Sequence, residues 1–365
     1  MKRILFLAAH RPGRSPGQRF RFEQYLPALE ARGFSCDISY LLREHDDRHF
    51  YSKGRYFRKF LIFLRTLRIR LRDLRRAKGY DVIFLYREAV MFGSTWFERR
   101  LRRKGIPMVV DFDDAVWLPD VSEGNRRLAW MKRPSKISDI VALCDLVITG
   151  NEYLASYARN YNAHTLVIPT TINMAEYRPV SVKKERICIG WTGSITTLRH
   201  LESALPVLLK LQERFGDQLE FRVIADKEWK HSGLRTEFIR WRRETETEDL
   251  SAMDIGIMPL PDDEWTRGKC GFKGLQYMAL GIPAVMSPVG VNTEIITDGQ
   301  NGFLAANEEE WLDKLSRLIR DAALRKKLGD AGRSTVAGRY SFEAWRDRYV
   351  ELFETLTRTD EKRRR

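Results

Sequence analysis

Short apolar runs alternate with amphipathic stretches along the first half of the chain. The run "RILFLAAH" is continuous and apolar, which is typical of a strand buried on both faces of a parallel sheet. The next stretch, "FRFEQYLPALEARG", has helical spacing and a helix-stop glycine at Gly33. Five further runs predict strands: "FSCDISYLL", "YDVIFLYR", "PMVVDFD", "CDLVITGN" and "HTLVIPT". This alternation predicts an α/β fold with a doubly wound parallel sheet.

The same pattern restarts in the second half. "ICIGWTGS" predicts a strand and loop, "TLRHLESALPVLLKLQERFG" predicts a helix, and "LEFRVIAD", "MDIGIMPL", "PAVMSPVG" and "GFLAA" predict further strands. We therefore expect two Rossmann-like domains, at residues 1–170 and 186–340. A polar linker is predicted at 171–185, and a final helix with a basic tail at 341–365.

Composition narrows the class of protein. Hydrophobic residues make up 43% and charged residues 31%, which excludes a disordered chain. The net charge of +15 indicates an acidic partner such as a phosphorylated substrate, anionic lipid or nucleic acid. The four cysteines are widely spaced, as expected of reduced thiols in the cytoplasm. We find no signal-peptide pattern and no run of about 18 apolar residues, so we expect no transmembrane helix.

Two segments of the second half carry candidate anion-binding groups. Gly193 and Ser194 fall between a predicted strand and helix, where backbone amides and a helix dipole suit an anion, and Arg199 adds a cation. The alternative is an ordinary tight turn. In "GKCGFKGLQYMALGIPAVMSPVG", Lys273 lies in the first turn of a predicted helix, where it opposes the dipole, and Lys269 precedes it. Both lysines predict a bound anion, although solvated surface charges are the alternative.

The segment "FKGLQYMALGIPAVMSPVGVNTEIITDGQNGFLA" resembles the signature region of the family 4 (group 1) glycosyltransferases. That family has a Leu-x-Glu-Ala-Met-Ala-x-Gly-x-Pro-Val-Val helix, followed by a Gly-x-x-Glu-Ile-Ile-x-Asp-Gly-x-Asn-Gly-Phe-Leu segment, which stands here at Gly290 to Leu304. The resemblance extends over nearly the whole chain. It implies the GT-B fold: two Rossmann-like domains facing across a cleft, with a C-terminal helix crossing back to the N-terminal domain.

The resemblance also implies a reaction. Family members of this type retain stereochemistry, need no metal, and move a sugar from a nucleotide-sugar co-substrate to an acceptor hydroxyl without a further cofactor. The second domain would hold the donor. Gln276 stands where the family has a ribose-binding glutamate, while the family's first glutamate falls on or near Gly268. The residues carried over to the donor diphosphate are Gly193, Ser194, Arg199, Lys269 and Lys273.

The first domain would then hold the acceptor. "DFDDAVW" places Asp111, Asp113 and Asp114 at a strand end, where alternating oxygen ligands suit Mg²⁺, but we favour an acceptor-binding or structural loop. The family often has a histidine near this point, so Asp113 is predicted to orient or deprotonate the acceptor hydroxyl. Arg19 and Arg21 are predicted to contact an acceptor phosphate or the donor diphosphate, with a solvated basic loop as the alternative.

Residues 53–78 form the most basic stretch, "KGRYFRKFLIFLRTLRIRLRDLRRAK". Its apolar residues recur every three or four positions, which predicts a basic amphipathic helix. Such helices bind anionic membrane surfaces, although packing of the apolar side on the sheet is the alternative. Nucleic acid is disfavoured because the aromatics do not interleave with the basic residues. We expect a cytoplasmic protein on the inner membrane face, with a lipid-linked or anionic glycan acceptor from cell-surface polysaccharide synthesis.

Other activities remain compatible with these residues. A nucleotide-sugar epimerase would use the same fold without an acceptor, and a phosphorylase would need a cofactor lysine that we do not locate. A catalytically inactive GT-B binding protein is a further alternative, because the first motif glutamate is missing.

Overall fold

The computed structural model describes residues 1–119, 127, 130–181 and 185–364, with side chains described up to residue 358. The described chain divides into two compact units. The first contains Met1–Pro169 and the chain from Trp345 onward, and the second contains Thr170–Ala344. Each unit has its own parallel sheet.

Within the described residues, the sheet of the first unit has six parallel strands in the order β2-β1-β3-β4-β5-β6. Helices flank this sheet, so its central strands are mainly apolar and largely buried. The strands are β1 (Lys2–His10), β2 (Phe34–Leu42), β3 (Val82–Tyr86), β4 (Met108–Phe112), β5 (Leu146–Thr149) and β6 (Thr165–Val167). The helices are α1 (Pro16–Arg21), α2 (Leu26–Ala31), α3 (Glu44–Phe50), α4 (Tyr56–Arg76), α5 (Trp96–Arg102), α6 (Lys136–Leu143) and α7 (Glu152–Arg159).

The described part of the second unit also has six parallel strands, in the order β12-β11-β10-β7-β8-β9. They are β7 (Ile187–Gly193), β8 (Leu219–Ala225), β9 (Thr236–Arg240), β10 (Ile255–Met258), β11 (Ala284–Met286) and β12 (Phe303–Leu304). The helices are α8 (Leu198–Glu202), α9 (Leu205–Phe215), α10 (Glu246–Ser251), α11 (Glu264–Arg267), α12 (Phe272–Ala279), α13 (Asn292–Ile295), α14 (Glu308–Arg320) and α15 (Ala322–Arg339). Counted from β7, this is the strand order of dinucleotide-binding Rossmann folds.

The final helix, α16 (Phe342–Arg364), begins in the second unit and packs in the first. Tyr349 stacks on Tyr25 with ring centroids 4.0 Å apart, and Phe353 lies against Phe6 and Phe84. The predicted return of the last helix to the first domain is therefore confirmed. The side chains of the predicted basic tail, residues 362–365, lie outside the described ones.

Two local predictions differ from the structure. The single helix predicted after β7 is divided into a 3-10 turn at Ile195–Thr197, then α8 and α9. Pro206 in the first turn of α9 explains the restart, because proline lacks the amide hydrogen that a continuing helix would need. The edge strand β9 was not predicted, because its residues are only partly buried and lack an apolar run.

Candidate functional site

Each sheet has a point at which the chain changes its direction of winding. In the first unit β2 and β3 lie on opposite sides of β1, and in the second unit β8 and β10 lie on opposite sides of β7. Ligands of open α/β sheets bind outside the carboxyl ends of the strands at such switch points. The candidate sites therefore lie among the residues that follow β1, β3, β7 and β10.

The turn after β7 is held by its own side chains. The amide of Ser194 donates to Thr197 Oγ1 at 3.0 Å, and the amide of Ile195 donates to Asp226 Oδ1 at 2.7 Å. The anion contacts predicted for Gly193 and Ser194 relied on amides of this turn. Two of these amides are engaged by protein oxygens: that of Ser194 within a capping box, and that of Ile195 by Asp226.

Trp191 joins this turn to the α12 segment. A β-carbon on Gly193 would lie 2.3 Å from the Trp191 ring, so only glycine fits at the end of β7. Lys273 Nζ lies 5.7 Å from the centroid of the same ring, and the amide of Thr192 donates to Tyr277 Oη at 2.9 Å. The two segments that the sequence singled out therefore meet at the carboxyl end of β7.

The start of α12 depends on backbone that only glycine adopts easily. Gly271 has φ of +67°, and a β-carbon there would lie 2.2 Å from Ile295. This tight turn sets Lys273 in the first turn of α12, while Lys269 lies over the Trp265 ring at 5.0 Å. The glycine-rich sequence around the two lysines therefore has a structural cause.

Arg199, Lys269 and Lys273 act together on His200, which is 3% exposed. Burial and the positive charges of these three side chains lower the pKa of His200 to about 4, and Asp263 opposes them only weakly. The three predicted phosphate-binding cations are thus brought into one neighbourhood, where positive charge predominates. His200 is the buried imidazole on which these charges act, and the sequence analysis did not single it out.

Gln276 has a different environment from the one predicted. It is 2% exposed, and its Nε2 donates to Tyr177 Oη at 2.7 Å. Tyr177 Oη donates to Glu246 Oε2 at 2.8 Å, and Trp241 Nε1 donates to the other oxygen of that carboxylate at 2.9 Å. Buried amides need such partners. The ribose contact of Gln276 stays a prediction, and in the structure its Nε2 is engaged by Tyr177.

At the switch point of the first unit, Arg87 follows β3 in the left-handed region, with φ of +66°. Its Nη2 donates to Asp113 Oδ1 at 2.7 Å and to Asp114 Oδ2 at 2.6 Å. Non-glycine residues in this conformation are uncommon and concentrate at functional sites. The sequence analysis missed Arg87, although an arginine directly after a fully buried strand was a signal for it.

Asp113 is further fixed by Tyr86 and Gly17. Tyr86 Oη donates to Asp113 Oδ1 at 2.9 Å. A β-carbon on Gly17 would lie 2.1 Å from Tyr86 Oη and 3.0 Å from Asp113 Oδ2, so any other residue would displace this pair. Among the described residues, no group of His, Cys, Asp and Glu side chains is arranged to hold a metal ion.

Arg21 and Asp111 form a fully buried ion pair. Arg21 Nε and Nη2 donate to the two oxygens of Asp111 at 2.9 and 3.0 Å, and Nη1 donates to the Ile168 carbonyl. Burial raises the pKa of Asp111 to about 6 against the opposing charge of Arg21. Arg19 is also buried, over the Phe20 ring. The acceptor contacts of Arg19, Arg21 and Asp111 stay a prediction, and in the structure all three side chains are buried.

His10, the last residue of β1, lies among further charged groups. Its Nε2 is 3.2 Å from Tyr51 Oη, and Asp47 accepts hydrogen bonds from Arg11 and Arg14 at 2.9 Å each. Burial and the neighbouring arginines lower the pKa of His10 to about 4, while Asp47 opposes them. The first switch point therefore combines a neutral imidazole with paired charges.

Helix α4 packs on the first unit with a polar face. Arg70 is buried, where it donates to the carbonyls of Ala8 and Ala89 and to Asp73. The buried positions repeat every three or four residues and are mainly polar: Lys59, Ile62, Thr66, Arg70, Asp73 and Leu74. The helix periodicity is as predicted, but the face on the protein is not the apolar one.

Much of the apolar face of α4 is exposed instead. Phe57 is 74% exposed and Phe60 54%, and Leu61 and Leu71 are also exposed. Exposed arginines border this face at Arg58, Arg68, Arg72 and Arg75. Within the described residues, no helix is both long and apolar enough to cross a bilayer.

Comparison with known sequences identifies a family. Residues 186–321 match the family of glycosyl transferases group 1. A lipopolysaccharide core biosynthesis glycosyltransferase, LpsE of Rhizobium meliloti, is 27% identical over 120 residues. That match covers 32% of this chain and 34% of LpsE, so only about a third of the curated relative is spanned.

Comparison with solved structures covers almost the whole chain. Sucrose-phosphate synthase from Thermosynechococcus elongatus has a TM-score of 0.74 at 17% identity, over 98% of this chain and 100% of that one. Anabaena HepE in complex with UDP-glucose has a TM-score of 0.68 at 14% identity, over 97% and 100%. Starch synthase IV from Arabidopsis thaliana, bound to ADP and acarbose, has 0.67 at 12%, over 98% and 99%.

These structural likenesses establish the fold, and the sequence match lies in the unit that carries the cation cluster. The strand orders, the signature segment and the matches agree with one another. Residues 186–321 therefore match the group 1 glycosyltransferase family, and the chain has the GT-B fold.

Proposed function

We propose that this protein is a retaining, metal-independent glycosyltransferase that moves a sugar from a nucleotide-sugar donor to an acceptor hydroxyl. One observation carries the proposal: Arg199, Lys269 and Lys273 converge on the neighbourhood of His200, beside the carboxyl end of β7. Breaking the bond between sugar and diphosphate leaves negative charge on the leaving group. Fixed cations near that charge stabilise the transition state more than the ground state.

Metal independence is proposed because the chain supplies its own positive charge there. The order in which the cations affect His200 is Lys273, Arg199 and then Lys269, and they come from two helices and the loop between α11 and α12. Together they can neutralise a diphosphate in the way that a divalent cation does elsewhere. Retention of stereochemistry is inherited from the family resemblance.

The acceptor hydroxyl is assigned to the first unit, at Asp113. Arg87 and Tyr86 both donate to Asp113 Oδ1, which fixes the orientation of the carboxylate. A carboxylate held in this way can accept a hydrogen bond from a hydroxyl and take its proton as the new glycosidic bond forms. The proton passes from the hydroxyl oxygen to Asp113. The oxygen attacks the sugar carbon from the same face that the diphosphate leaves, so configuration is retained, and the electron pair of the broken bond stays on the diphosphate.

The names of similar proteins support a choice of substrate classes to test. HepE is described in complex with UDP-glucose and starch synthase IV with ADP, while LpsE is a lipopolysaccharide core biosynthesis enzyme. We propose a UDP- or ADP-sugar as the donor and a lipid-linked or anionic glycan as the acceptor, in the synthesis of a cell-surface polysaccharide.

The exposed face of α4 supports a peripheral site on an anionic membrane, on its cytoplasmic side. Phe57, Phe60 and Leu61 present apolar area to solvent, and the bordering arginines supply charge complementary to anionic headgroups. Each basic residue near such a surface contributes about 1 kcal/mol of binding free energy. Binding to the membrane surface would place the enzyme beside a lipid-linked acceptor.

A thermal-shift panel of UDP-, ADP-, GDP- and dTDP-sugars tests the donor site. A bound donor stabilises the folded state, so one nucleotide class should raise the melting temperature in a concentration-dependent way. No shift with any member would overturn the donor site. For the nucleotide that binds, product analysis with and without acceptor separates transfer from epimerisation, which needs no acceptor, and from binding without turnover.

Vesicle flotation tests the membrane proposal. We expect the protein to float with phosphatidylglycerol vesicles and not with phosphatidylcholine vesicles, and to be released by high salt. The Phe57→Ser/Phe60→Ser variant should lose most of this binding, whereas Val180→Ser, exposed in the second unit, should keep it. Equal binding of both variants would contradict the assignment of α4.

A further inference from the structure

His200 has an unusual combination of burial and missing partners. Its side chain is 3% exposed, and within the described residues its Nε2 has no hydrogen-bond partner. Buried polar atoms are nearly always paired, so an unpaired imidazole nitrogen needs an explanation. The residue lies on α8, directly after the turn that follows β7.

Charged groups from each neighbouring element act on this ring. Lys273 comes from α12, Lys269 from the loop before it, and Arg199 from α8 itself. Asp263, at the start of α11, is the acidic group among them. With burial, the three cations hold the pKa of His200 at about 4, so the ring is neutral at pH 7.

We propose that binding of a diphosphate anion at this cluster is coupled to protonation of His200. The inference rests on the donor site proposed above and adds a proton to its binding reaction. An anion beside Lys273, Arg199 and Lys269 cancels much of the positive potential that disfavours a charged imidazole. The neutral ring takes up the proton on whichever nitrogen carries no hydrogen, and no direct contact between the ring and the ligand is required.

The sign of the linkage follows from the two states of the site. Above pH 7 the ring is neutral with and without ligand, so affinity does not depend on its protonation. As the pH falls, the liganded protein takes up the proton first, because its His200 pKa is the higher one. Affinity therefore rises on acidification and stops rising near the pKa of the free site.

Calorimetric titration with UDP-glucose and, as a second probe, with ADP-glucose tests the coupling between pH 5 and pH 8. UDP-glucose is a diphosphate diester and does not itself titrate in this range. Each pH is measured in two buffers of different ionisation enthalpy, so that the difference in heat reports protons taken up. We expect no uptake at pH 8, partial uptake near pH 5.5, and a dissociation constant about threefold to tenfold lower at pH 5 than at pH 7.

The His200→Gln variant should bind at pH 8 and show neither proton uptake nor the acid-side increase in affinity. His164→Gln is the matched control, because this histidine is exposed in the first unit, and it should behave as the unsubstituted protein. Imidazole NMR titration of the unsubstituted protein gives a second readout, which survives if His200→Gln fails to fold. Its His200 resonance should titrate at higher pH in the presence of UDP-glucose.

The outcomes separate this inference from the proposed function. Binding without proton uptake, or uptake that persists in His200→Gln, overturns the coupling and leaves the donor site intact. No binding of either probe at any pH overturns both.

Discussion

The switch points of the two sheets both contain a histidine, but they differ in how the surrounding charges are balanced. Each has a histidine whose pKa is lowered to about 4, His10 in the first unit and His200 in the second. Three arginines also lower the pKa of His10, but each of them is ion-paired: Arg11 and Arg14 with Asp47, and Arg87 with Asp113 and Asp114. Around His200 positive charge outweighs the one opposing carboxylate, Asp263.

This difference indicates which ligand each unit suits. A site with balanced charges can fix a neutral group such as a sugar hydroxyl through directed hydrogen bonds, without strongly attracting counter-ions. A site with excess positive charge is repulsive until an anion arrives, and it therefore favours a diphosphate. The comparison supports an acceptor in the first unit and a donor in the second.

Removing one charge from the balanced unit should have the largest effect on stability. Arg21→Met leaves the Asp111 carboxylate buried without its ion-pair partner, and we expect a loss of about 3–5 kcal/mol in the free energy of unfolding. Urea unfolding followed by circular dichroism measures the loss. The double variant Arg21→Met/Asp111→Asn should recover part of it, and a double variant as unstable as Arg21→Met would show that the pair is not the cause.

Neutralising the proposed acceptor group should affect turnover and leave donor binding unchanged. Asp113→Asn keeps the shape of the side chain but removes its charge, and we expect turnover to fall about a hundredfold. The donor dissociation constant, from calorimetry, should match that of the unsubstituted protein. Asp139→Asn, at a more exposed ion pair with Arg133, is the matched control. Unchanged turnover in Asp113→Asn would remove this residue from the mechanism.

Removing a cation from the second unit should affect donor binding first. Lys273 has the largest effect of the three cations on His200, so Lys273→Met should weaken donor affinity about tenfold to thirtyfold. The exposed Lys326, paired with Asp330 on α15, provides the control Lys326→Met, which should bind normally. Equal affinities would place the diphosphate elsewhere.

The smallest expected effect is on the pH dependence of stability. The folded pKa of His200 lies below its unfolded value of about 6.5, so its contribution is complete above that pH and is lost as the pH falls towards 4. By pH 5 we expect roughly 1–2 kcal/mol less stability from this group. His200→Gln should flatten the acid side of the stability profile, and a saturating donor should do the same in the unsubstituted protein. An unchanged profile in both experiments would contradict a buried neutral His200.

The fold was predictable because its signals are local. Continuous apolar runs such as Val82–Tyr86 are typical of central strands of a covered parallel sheet, and their restart after residue 186 indicates a second unit. The cations at Arg199, Lys269 and Lys273 were predictable for a similar reason, since each stands beside a glycine turn or helix start. The family resemblance supplied the prediction that all three bind the donor diphosphate.

Contacts between distant parts of the chain were not predictable in the same way. The sequence around Arg21 does not predict its contact with Asp111. The sequence around Gln276 likewise does not predict its hydrogen bond with Tyr177, which is 99 residues away. Which face of α4 packs on the protein was not predictable for another reason. Its apolar residues have regular helical spacing, but burial of Arg70 and Asp73 depends on carbonyls at the ends of other strands.

The return of α16 to the first unit affects the order in which the protein can be completed. Tyr349 and Phe353 fill part of the same core as Tyr25 and Phe6, which are made more than 300 residues earlier. A ribosome adds only about 5–20 residues per second. The core of the first unit therefore lacks Tyr349 and Phe353 for many seconds after its own strands have been synthesised. The unit that is synthesised first is thus finished last, while the second unit can close during translation. Deletion of residues 346–365 would therefore harm the folding of the unit that contains residues 1–169.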